Sequence, residues 1–172
     1  PESSMLELIS NGGVHFGKDE SVIPNKKTYL VDTQYQSLTS IKFKDGRVAS
    51  KMIEKLLGDA KYFSNPKDVD LMASIFTALE IGNNDIVLDV FSGSGTTAHT
   101  VMKMNAEKGT NIRYIHLQLD EAVKEKDAPY KAGYRTIDEI GRARIEASAK
   151  LVQEEIGADI DYGYTHYYIK QL

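Results

Sequence analysis

The sequence predicts an α/β fold in which helices flank a mostly parallel sheet. Two short apolar segments, residues 86–91 and 114–119, have the composition of buried strands. Helical patterns precede, separate and follow them, and a glycine-rich turn joins the first strand to the next helix. This alternation is typical of open α/β sheets, whose ligands lie beyond the carboxyl ends of the strands.

A small irregular or β segment is predicted ahead of the sheet. Residues 12–44 contain three short β-prone pieces, GGVHFG, KTYLVD and TSIKF, which are separated by turn formers. None of them forms a complete core by itself. The stretch SKMIEKLLGDA then reads as a short amphipathic helix that ends at Gly58.

The next helix is predicted to start near Asn65. Asn65 can cap it, Pro66 suits the first helical position, and Asp68 lies in the first turn, where the helix dipole favours an anion. Gly82 is predicted to end this helix. The strand IVLDVF follows, and its nearly uninterrupted apolar composition predicts burial on both faces.

A second helix–strand pair follows the glycine turn. Helix formers run from Thr96 to about Ala106, and Gly109 is the predicted terminator. The segment RYIHLQL predicts a strand from about Tyr114 to Leu119.

A long helix and a last strand are predicted at the C-terminal end. Thr136 and Glu139 have the spacing of a capping box at the head of the helix, and Gly157 suits its end. The tail GYTHYYIKQL has the β-propensity of a third strand. The predicted order is therefore that of a partial Rossmann-like sheet with flanking helices.

Composition limits the classes of protein and of site. A length of 172 residues fits one domain with a real core, and the absence of cysteine excludes disulfides and thiolate metal sites. The four histidines lack ligand spacing, so no metal site is expected. No apolar run approaches the roughly 20 residues that cross a bilayer, and no secretory signal is recognisable. We expect a cytoplasmic protein, and Pro1 in place of methionine indicates a fragment of a longer chain.

The formal charge of −4 argues against a histone-like DNA binder but not against a DNA enzyme. Between residues 42 and 67, however, seven basic residues accompany only three acidic ones. The pattern leaves open a solvated face and a rim that contacts nucleic-acid phosphates. The basic residues are Lys42, Lys44, Arg47, Lys51, Lys55, Lys61 and Lys67.

The glycine turn VLDVFSGSGTTAH, residues 87–99, is the main candidate for a site. No lysine follows Gly95, which excludes a nucleotide-hydrolase phosphate loop, and Ser92 stands at the first glycine position of a hydrolase nucleophile elbow. GSGTTA fits the dinucleotide fingerprint, but Gln118 stands near the position where that fingerprint has an acid. The residues alone leave open an adenosine-bearing ligand, a nicotinamide dinucleotide, or a tight turn without a ligand.

Several segments resemble one enzyme family in order. DVFSGSGTTAH resembles an Asp-x-Phe-x-Gly-Ser-Gly cofactor loop, and FSNPKDVDLMASIF a Phe-x-x-Pro-Lys-Pro helix start. YIHLQLDE and GYRTIDEIGRARIEASAKLV resemble the next strand and the long helix after it. HFGKDESVIPNKKTYL resembles the end of a target-recognition region. Together they are similar to the C-terminal part of a β-class adenine-N6 DNA methyltransferase, the modification subunit of type III restriction–modification systems.

That resemblance implies a domain division and a cofactor site. Residues 1–60 would contain the end of the target-recognition region and a connecting helix, and residues 61–172 the half that binds S-adenosyl-L-methionine (SAM). Asp89 would lie near the methionine part of SAM, and Gln118 would stand where many relatives place an acid for the ribose. Asp68 and Gln118 depart from the family pattern. The implied cofactor-binding residues are Phe63, Asn65, Pro66, Lys67, Asp89, Phe91, Ser92, Gly93, Ser94, Gly95, Thr96, Thr97 and Gln118.

The family's catalytic Asp-Pro-Pro-Tyr box is lacking, because none of the four prolines adjoins another. DAPY, residues 127–130, differs from the box by one residue, but only one strand separates it from the cofactor loop, and an exposed turn is favoured. The resemblance implies action on a flipped-out base of double-stranded DNA, a restriction subunit as partner and a homodimer in the full enzyme. This chain alone would be inactive, and its incomplete sheet would have an exposed edge. A non-catalytic DNA-contacting or assembly fragment with a vestigial loop is the alternative.

Overall fold

The computed structural model describes residues 2–33 and 38–169. The chain forms two compact units, residues 1–39 and residues 40–172. None of the helices in the described ranges is both long and apolar enough to span a membrane.

The first unit contains little regular structure. Its elements are α1 (Glu2–Ser10), the antiparallel strands β1 (Val14–His15) and β2 (Asn25–Lys26), and a 3₁₀ turn at Leu30–Thr33. GGVHFG therefore contains a strand as predicted. The strand predictions for KTYLVD and TSIKF were wrong, since the first ends in the 3₁₀ turn and residues 39–43 are irregular. Both pieces have β-propensity, but their described residues contain no strand.

The second unit alternates helices with strands. Its elements are α2 (Gly46–Leu57), a 3₁₀ turn (Ala60–Tyr62), α3 (Val69–Ala78), β3 (Ile86–Asp89), α4 (Thr96–Lys108), β4 (Arg113–His116), α5 (Ala128–Lys131) and α6 (Ile137–Ile156). β3 and β4 pair in parallel, from Ile86 opposite Arg113 to Asp89 opposite His116. The fold is thus mixed α/β, with a two-stranded parallel sheet across which α4 makes the connection.

The core of this unit lies on one face of the sheet. α4 packs against both α3 and α6, and α2 packs against α6. Val101 and Met104 of α4 are buried with Phe76 and Ile112, and Val87 of β3 packs against this cluster. Each such side chain contributes about 1.5–3 kcal/mol when it is removed from water. Burial on this face fixes the orientation of α4, and so of the turn that precedes it.

The other face of the sheet is uncovered by the described residues. Ile86 and Leu88 are 50% and 59% exposed, and Ile115 on β4 and Leu117 just beyond it are exposed as well. The prediction that the first strand is buried on both faces was therefore wrong. Successive strand side chains alternate between faces, and the described helices cover only one of them.

Several predicted element ends are confirmed. Gly58, Gly109 and Gly157 stand at the C-caps of α2, α4 and α6 in the left-handed region, with φ values of 98°, 63° and 69°. The capping box of α6 is formed in both directions between Thr136 and Glu139. These boundaries follow from local chemistry, because only glycine adopts positive φ without strain.

The start and end of α3 differ from the prediction. The helix begins at Val69, and Asp68 is its N-cap, accepting a hydrogen bond from the Leu71 amide at 2.8 Å. Asn65 has a φ of 54° and belongs to the turn before the helix. The helix ends at Ala78 rather than at Gly82. Asp68 takes the cap because its carboxylate lies three residues before an amide that has no helical partner.

The second strand is shorter than predicted, and the third is not formed in residues 163–169. β4 ends at His116, opposite Asp89 at the end of β3, although the Leu117 amide still donates to the Asp89 carbonyl at 2.9 Å. The tail lies against α6 instead, where the Tyr164 hydroxyl donates to Glu146 at 3.1 Å. Residues 170–172 of the predicted strand lie outside the described part of the chain.

Candidate cofactor site at the glycine turn

The turn between β3 and α4 is shaped by two glycines. Gly93 and Gly95 have φ values of 51° and 77°, and the Gly95 amide donates to the Ser92 carbonyl at 2.8 Å. Gly95 is the N-cap of α4 and supplies no side-chain hydrogen bond to the helix end. The first amides of α4 therefore face the turn, as in sites that bind a ligand near a helix N-terminus.

Close packing also requires these glycines. A Cβ atom on Gly93 would lie 3.1 Å from the Phe63 ring, and one on Gly95 would lie 3.0 Å from Cγ1 of Ile145. A Cβ atom on Gly141 would lie 2.8 Å from the Gly93 carbonyl oxygen. The turn is thus held against α6 on one side and against Phe63 on the other.

Asp89 closes the base of the turn. One carboxylate oxygen accepts a hydrogen bond from the Phe91 amide at 3.2 Å, and the other accepts from the Thr97 hydroxyl at 2.7 Å. His116 lies opposite Asp89 on β4. Burial lowers the pKa of His116, and the Asp89 charge opposes that shift only in part. Asp89 consequently orients the turn, with both its oxygens bonded to it.

Gln118 reaches the turn from beyond β4. Its side-chain oxygen accepts a hydrogen bond from the Gly93 amide at 2.8 Å, and its side-chain nitrogen donates to the Leu119 carbonyl at 3.2 Å. The residue is therefore at the predicted site, although its amide is engaged with the protein itself. A ligand that takes the Gly93 N–H must displace this side chain.

Three hydroxyl residues of the turn point into the protein. Ser94, Thr96 and Thr97 are buried, and their hydroxyls bond to Arg144 or to Asp89. Phe91, in contrast, is 83% exposed. The ligand-accessible part of the turn is thus formed by Phe91 together with the half-buried Ser92 and Gly93.

The upstream segment predicted to line the site lies beside the turn. Phe63 packs on Gly93, and the Thr96 hydroxyl lies 3.5 Å from the Lys67 carbonyl, to which it donates. Pro66 is buried, whereas Asn65 and Lys67 are exposed. Phe63, Pro66 and Lys67 therefore border the turn, and Asn65 stands at the solvent side of the same segment.

Helix α6 supplies site residues that sequence reasoning missed. Gly141, Arg144 and Ile145 all contact the turn, and Arg144 is fully buried. Arg144 lies seven residues after Ile137 at the start of the helix, so helical periodicity alone could have placed it on the packed face. Its charge argued for the solvent face instead.

Buried ionisable groups surround the start of α4. Desolvation lowers the pKa of His99 to about 3, with the Arg144 charge as the next largest cause. Burial lowers the pKa of Arg144 to about 10. His99 is therefore neutral and Arg144 charged at neutral pH. In the described ranges, no group of three or more His, Asp or Glu residues is arranged to hold a metal ion.

The basic stretch divides into paired and unpaired side chains. Lys44 lies 2.5 Å from Asp68, and Lys55 lies 2.8 Å from Glu155. Arg47 pairs with the preceding Asp45 at 2.7 Å. Within the described residues, four exposed lysines have no such pair, namely Lys42, Lys51, Lys61 and Lys67.

DAPY is not the exposed turn that was predicted. Residues 128–131 form α5, and Pro129 is buried. The Arg135 guanidinium lies 4.1 Å from the centre of the Tyr130 ring, so that one face of the ring is covered by a cation. The segment is a packed helical turn, which explains its apolar content without catalysis.

The chain belongs to the N6/N4 DNA methylase family, whose family model matches residues 16–170. It is 37% identical over 170 residues to the type III restriction–modification enzyme StyLTI Mod subunit of Salmonella typhimurium, covering 97% of this chain and 26% of that protein.

Two further relatives extend the comparison. The EcoP15I Mod subunit of Escherichia coli is 37% identical over 156 residues, covering 90% of this chain and 24% of its own. The type II methyltransferase M.KpnI of Klebsiella pneumoniae is 31% identical over 97 residues, covering 56% of this chain and 23% of its own. The chain thus spans about a quarter of the length of these relatives.

Proposed function

We propose that this chain is the SAM-binding part of an adenine-N6 DNA methyltransferase of a type III restriction–modification system. The observation that supports this most directly is the glycine turn between β3 and α4, held by Asp89, Gln118 and the Phe63–Lys67 segment, in a member of the DNA methylase family. Residues 61–172 would form the SAM-binding half of a Rossmann-like domain. Residues 1–60 would contain the end of the target-recognition region and the connecting helix, although α2 packs on α6.

The turn suits an adenosine-bearing cofactor. Gly93 and Gly95 adopt positive φ values, which bring the backbone of the turn to the N-terminal end of α4. Phe91 presents an exposed ring on which a purine can stack, and the half-buried Ser92 offers a hydroxyl. SAM, when bound, supplies the sulfonium methyl group that is transferred. The protein's part at this edge is to hold that cofactor and fix its orientation.

The substrate and partners follow from the same family membership. The two Mod relatives are named as subunits of type III restriction–modification enzymes. We propose double-stranded DNA as the substrate, with the target adenine flipped out of the helix. A restriction subunit and a second Mod subunit are the proposed partners, and the prokaryotic cytoplasm is the proposed location. The four unpaired lysines, Lys42, Lys51, Lys61 and Lys67, are candidates for phosphate contacts.

The chain alone is expected to bind cofactor without transferring a methyl group. Its sequence contains no Pro-Pro pair, so it lacks an Asp-Pro-Pro-Tyr box. The uncovered apolar face at Ile86, Leu88 and Ile115 is where a polypeptide that supplies the box would pack. Activity should therefore require the remaining part of the enzyme.

Calorimetric titration with S-adenosylhomocysteine tests the cofactor assignment. The parent chain should bind, and Gly93→Asp should not, because its side chain meets the Phe63 ring and adds a charge to the turn. The upstream Gly46→Asp is the matched control, since a Cβ atom there meets no other atom within 4 Å. Absence of heat from a folded parent, or equal heats from parent and Gly93→Asp, would refute the proposal.

A further inference from the structure

Arg144 is the most unusual buried side chain of the molecule. It is 0% exposed, and no carboxylate in the described ranges forms a salt bridge with it. Its Nε and Nη2 atoms are buried without a hydrogen-bond partner among the described residues. A guanidinium placed so deeply without an acid is unfavourable for folding, because burial removes its hydration without supplying a counter-charge.

The side-chain hydrogen bonds that Arg144 makes both lead to the glycine turn. Its Nη1 atom donates to the Ser94 hydroxyl at 2.7 Å and to the Thr96 hydroxyl at 2.5 Å. These two residues flank Gly95, the N-cap of α4. Nη1 of Arg144 therefore bonds to the residues on both sides of Gly95, where the turn ends and α4 begins.

The same contact connects the two halves of the candidate site. The Thr96 hydroxyl accepts from Arg144 and donates to the Lys67 carbonyl, 3.5 Å away. The positions of the turn and of the upstream segment are thus linked through one hydroxyl. Hydrogen bonds from a charged donor are stronger and more directional than neutral ones, so the link resists rotation of both hydroxyls.

A role in folding alone does not explain this choice of residue. Burial lowers the pKa of Arg144 to about 10, so the group remains charged at neutral pH and its burial remains unfavourable. An apolar side chain of similar length would fill the same space without that penalty. The hydrogen bonds of this charged group both go to the turn.

We infer that Arg144 is a positioning residue for the cofactor turn, acting through the hydroxyls of Ser94 and Thr96. The inference rests on the proposed function, since the turn must bind SAM for its position to matter. Arg144 would act without touching the cofactor. It fixes the backbone of the turn in the conformation that binds.

Arg144→Met tests the inference, because a positioning role predicts a loss of cofactor affinity without a loss of protein stability. Affinity for S-adenosylhomocysteine should fall at least tenfold, while the thermal midpoint should equal or exceed that of the parent. Arg144→Lys keeps the charge but replaces the planar group by a point charge, so it should recover part of the affinity. Arg142→Met, two residues earlier and bonded to Asp138, is the matched control and should bind as the parent does.

A second variant protects the test against a failure of Arg144→Met to fold. Ser94→Ala removes one acceptor and leaves Arg144 bonded to Thr96, so it should lose part of the affinity while the buried charge keeps a partner. Combining it with Arg144→Met should reduce affinity little beyond the loss caused by Arg144→Met alone. A parent that does not bind S-adenosylhomocysteine defeats the proposed function. A parent that binds while Arg144→Met binds equally, or loses affinity only in proportion to its stability, overturns the role of Arg144 alone.

Discussion

The Thr97 hydroxyl donates a 2.7 Å hydrogen bond to the carboxylate of Asp89 across the glycine turn. The bond joins the last residue of β3 to the second residue of α4, so strand and helix are fastened directly and not only through the chain between them. The turn is thereby closed at its base.

Thr97→Val should weaken this closure. Valine preserves the shape but leaves one carboxylate oxygen of Asp89 without its donor, and a lost hydrogen bond to a charged group destabilises by about 1.5–3 kcal/mol. Urea unfolding should show this loss. Thr77→Val, on the exposed side of α3, removes only a solvent-exposed hydrogen bond from Lys108 and should change the free energy of unfolding by less than about 0.5 kcal/mol. Equal stability of Thr97→Val and parent would contradict the role assigned to the bond.

Gly141→Ala should move the turn away from α6. Alanine is favoured over glycine inside a helix by about 1 kcal/mol, so propensity alone predicts a more stable protein. The added Cβ, however, would lie 2.8 Å from the Gly93 carbonyl oxygen. We expect lower stability and weaker S-adenosylhomocysteine binding, measured by thermal unfolding and calorimetry.

Gly46→Ala provides the control for that substitution. Gly46 begins α2, and a Cβ atom there meets nothing within 4 Å. It should leave cofactor affinity unchanged and keep or raise stability. If both alanine variants raised stability equally, the close approach at Gly141 would have no energetic consequence.

Acid should destabilise the protein through His99. Its pKa in the folded protein is about 3, lowered from 6.5 by burial. As the pH falls from 6.5 towards 3, His99 therefore becomes protonated in the unfolded chain but stays neutral in the folded one. The contribution of neutral His99 to the free energy of unfolding is therefore fully present above pH 6.5 and is lost as the pH falls below it. The loss between pH 6.5 and pH 5 is about 2 kcal/mol.

His99→Gln isolates this contribution. The variant should show a flatter dependence of the free energy of unfolding on pH between 5 and 7.5 than the parent, measured from urea midpoints. His116, whose pKa burial also lowers, remains in both proteins and cancels in the comparison. Parallel pH profiles for the two proteins would show that His99 is not held neutral.

The uncovered face of the sheet should tolerate polar substitution. Leu88 is 59% exposed, so Leu88→Gln should change the free energy of unfolding by less than about 0.5 kcal/mol. It should also reduce self-association in sedimentation velocity experiments, because an exposed apolar patch is removed. Val87→Gln, one residue earlier, faces the core and should be strongly destabilising. A similar loss in both variants would mean that both faces of β3 are covered.

Local sequence patterns predicted the ends of several helices more reliably than they predicted what packs against each element. The C-cap glycines and the Thr136–Glu139 box were readable because the residues that interact lie within four positions of each other. The cap of α3 was misplaced because Asn65 and Asp68 are both good caps three residues apart. The exposure of one face of β3 could not be predicted from its composition, because apolar residues do not specify which segment packs on them.

The candidate site was predictable where a motif marks it and not where packing completes it. The strand–turn–helix pattern marked the glycines, and the family resemblance implied Asp89 and Gln118. The contact between Arg144 and Ser94 spans 50 residues of sequence and depends on how α6 lies against α4. No periodicity in a single sequence specifies such a pairing.

Gln118 gives the turn an internal substitute for a ligand. With its amide oxygen 2.8 Å from the Gly93 nitrogen, that N–H is satisfied before any cofactor arrives. A ligand acceptor that binds the Gly93 N–H would replace the Gln118 oxygen there. The heat of binding at this position would then measure only the difference between the two hydrogen bonds. For the proposed cofactor, a ribose hydroxyl or other acceptor would have to bind the Gly93 N–H more strongly than Gln118 does.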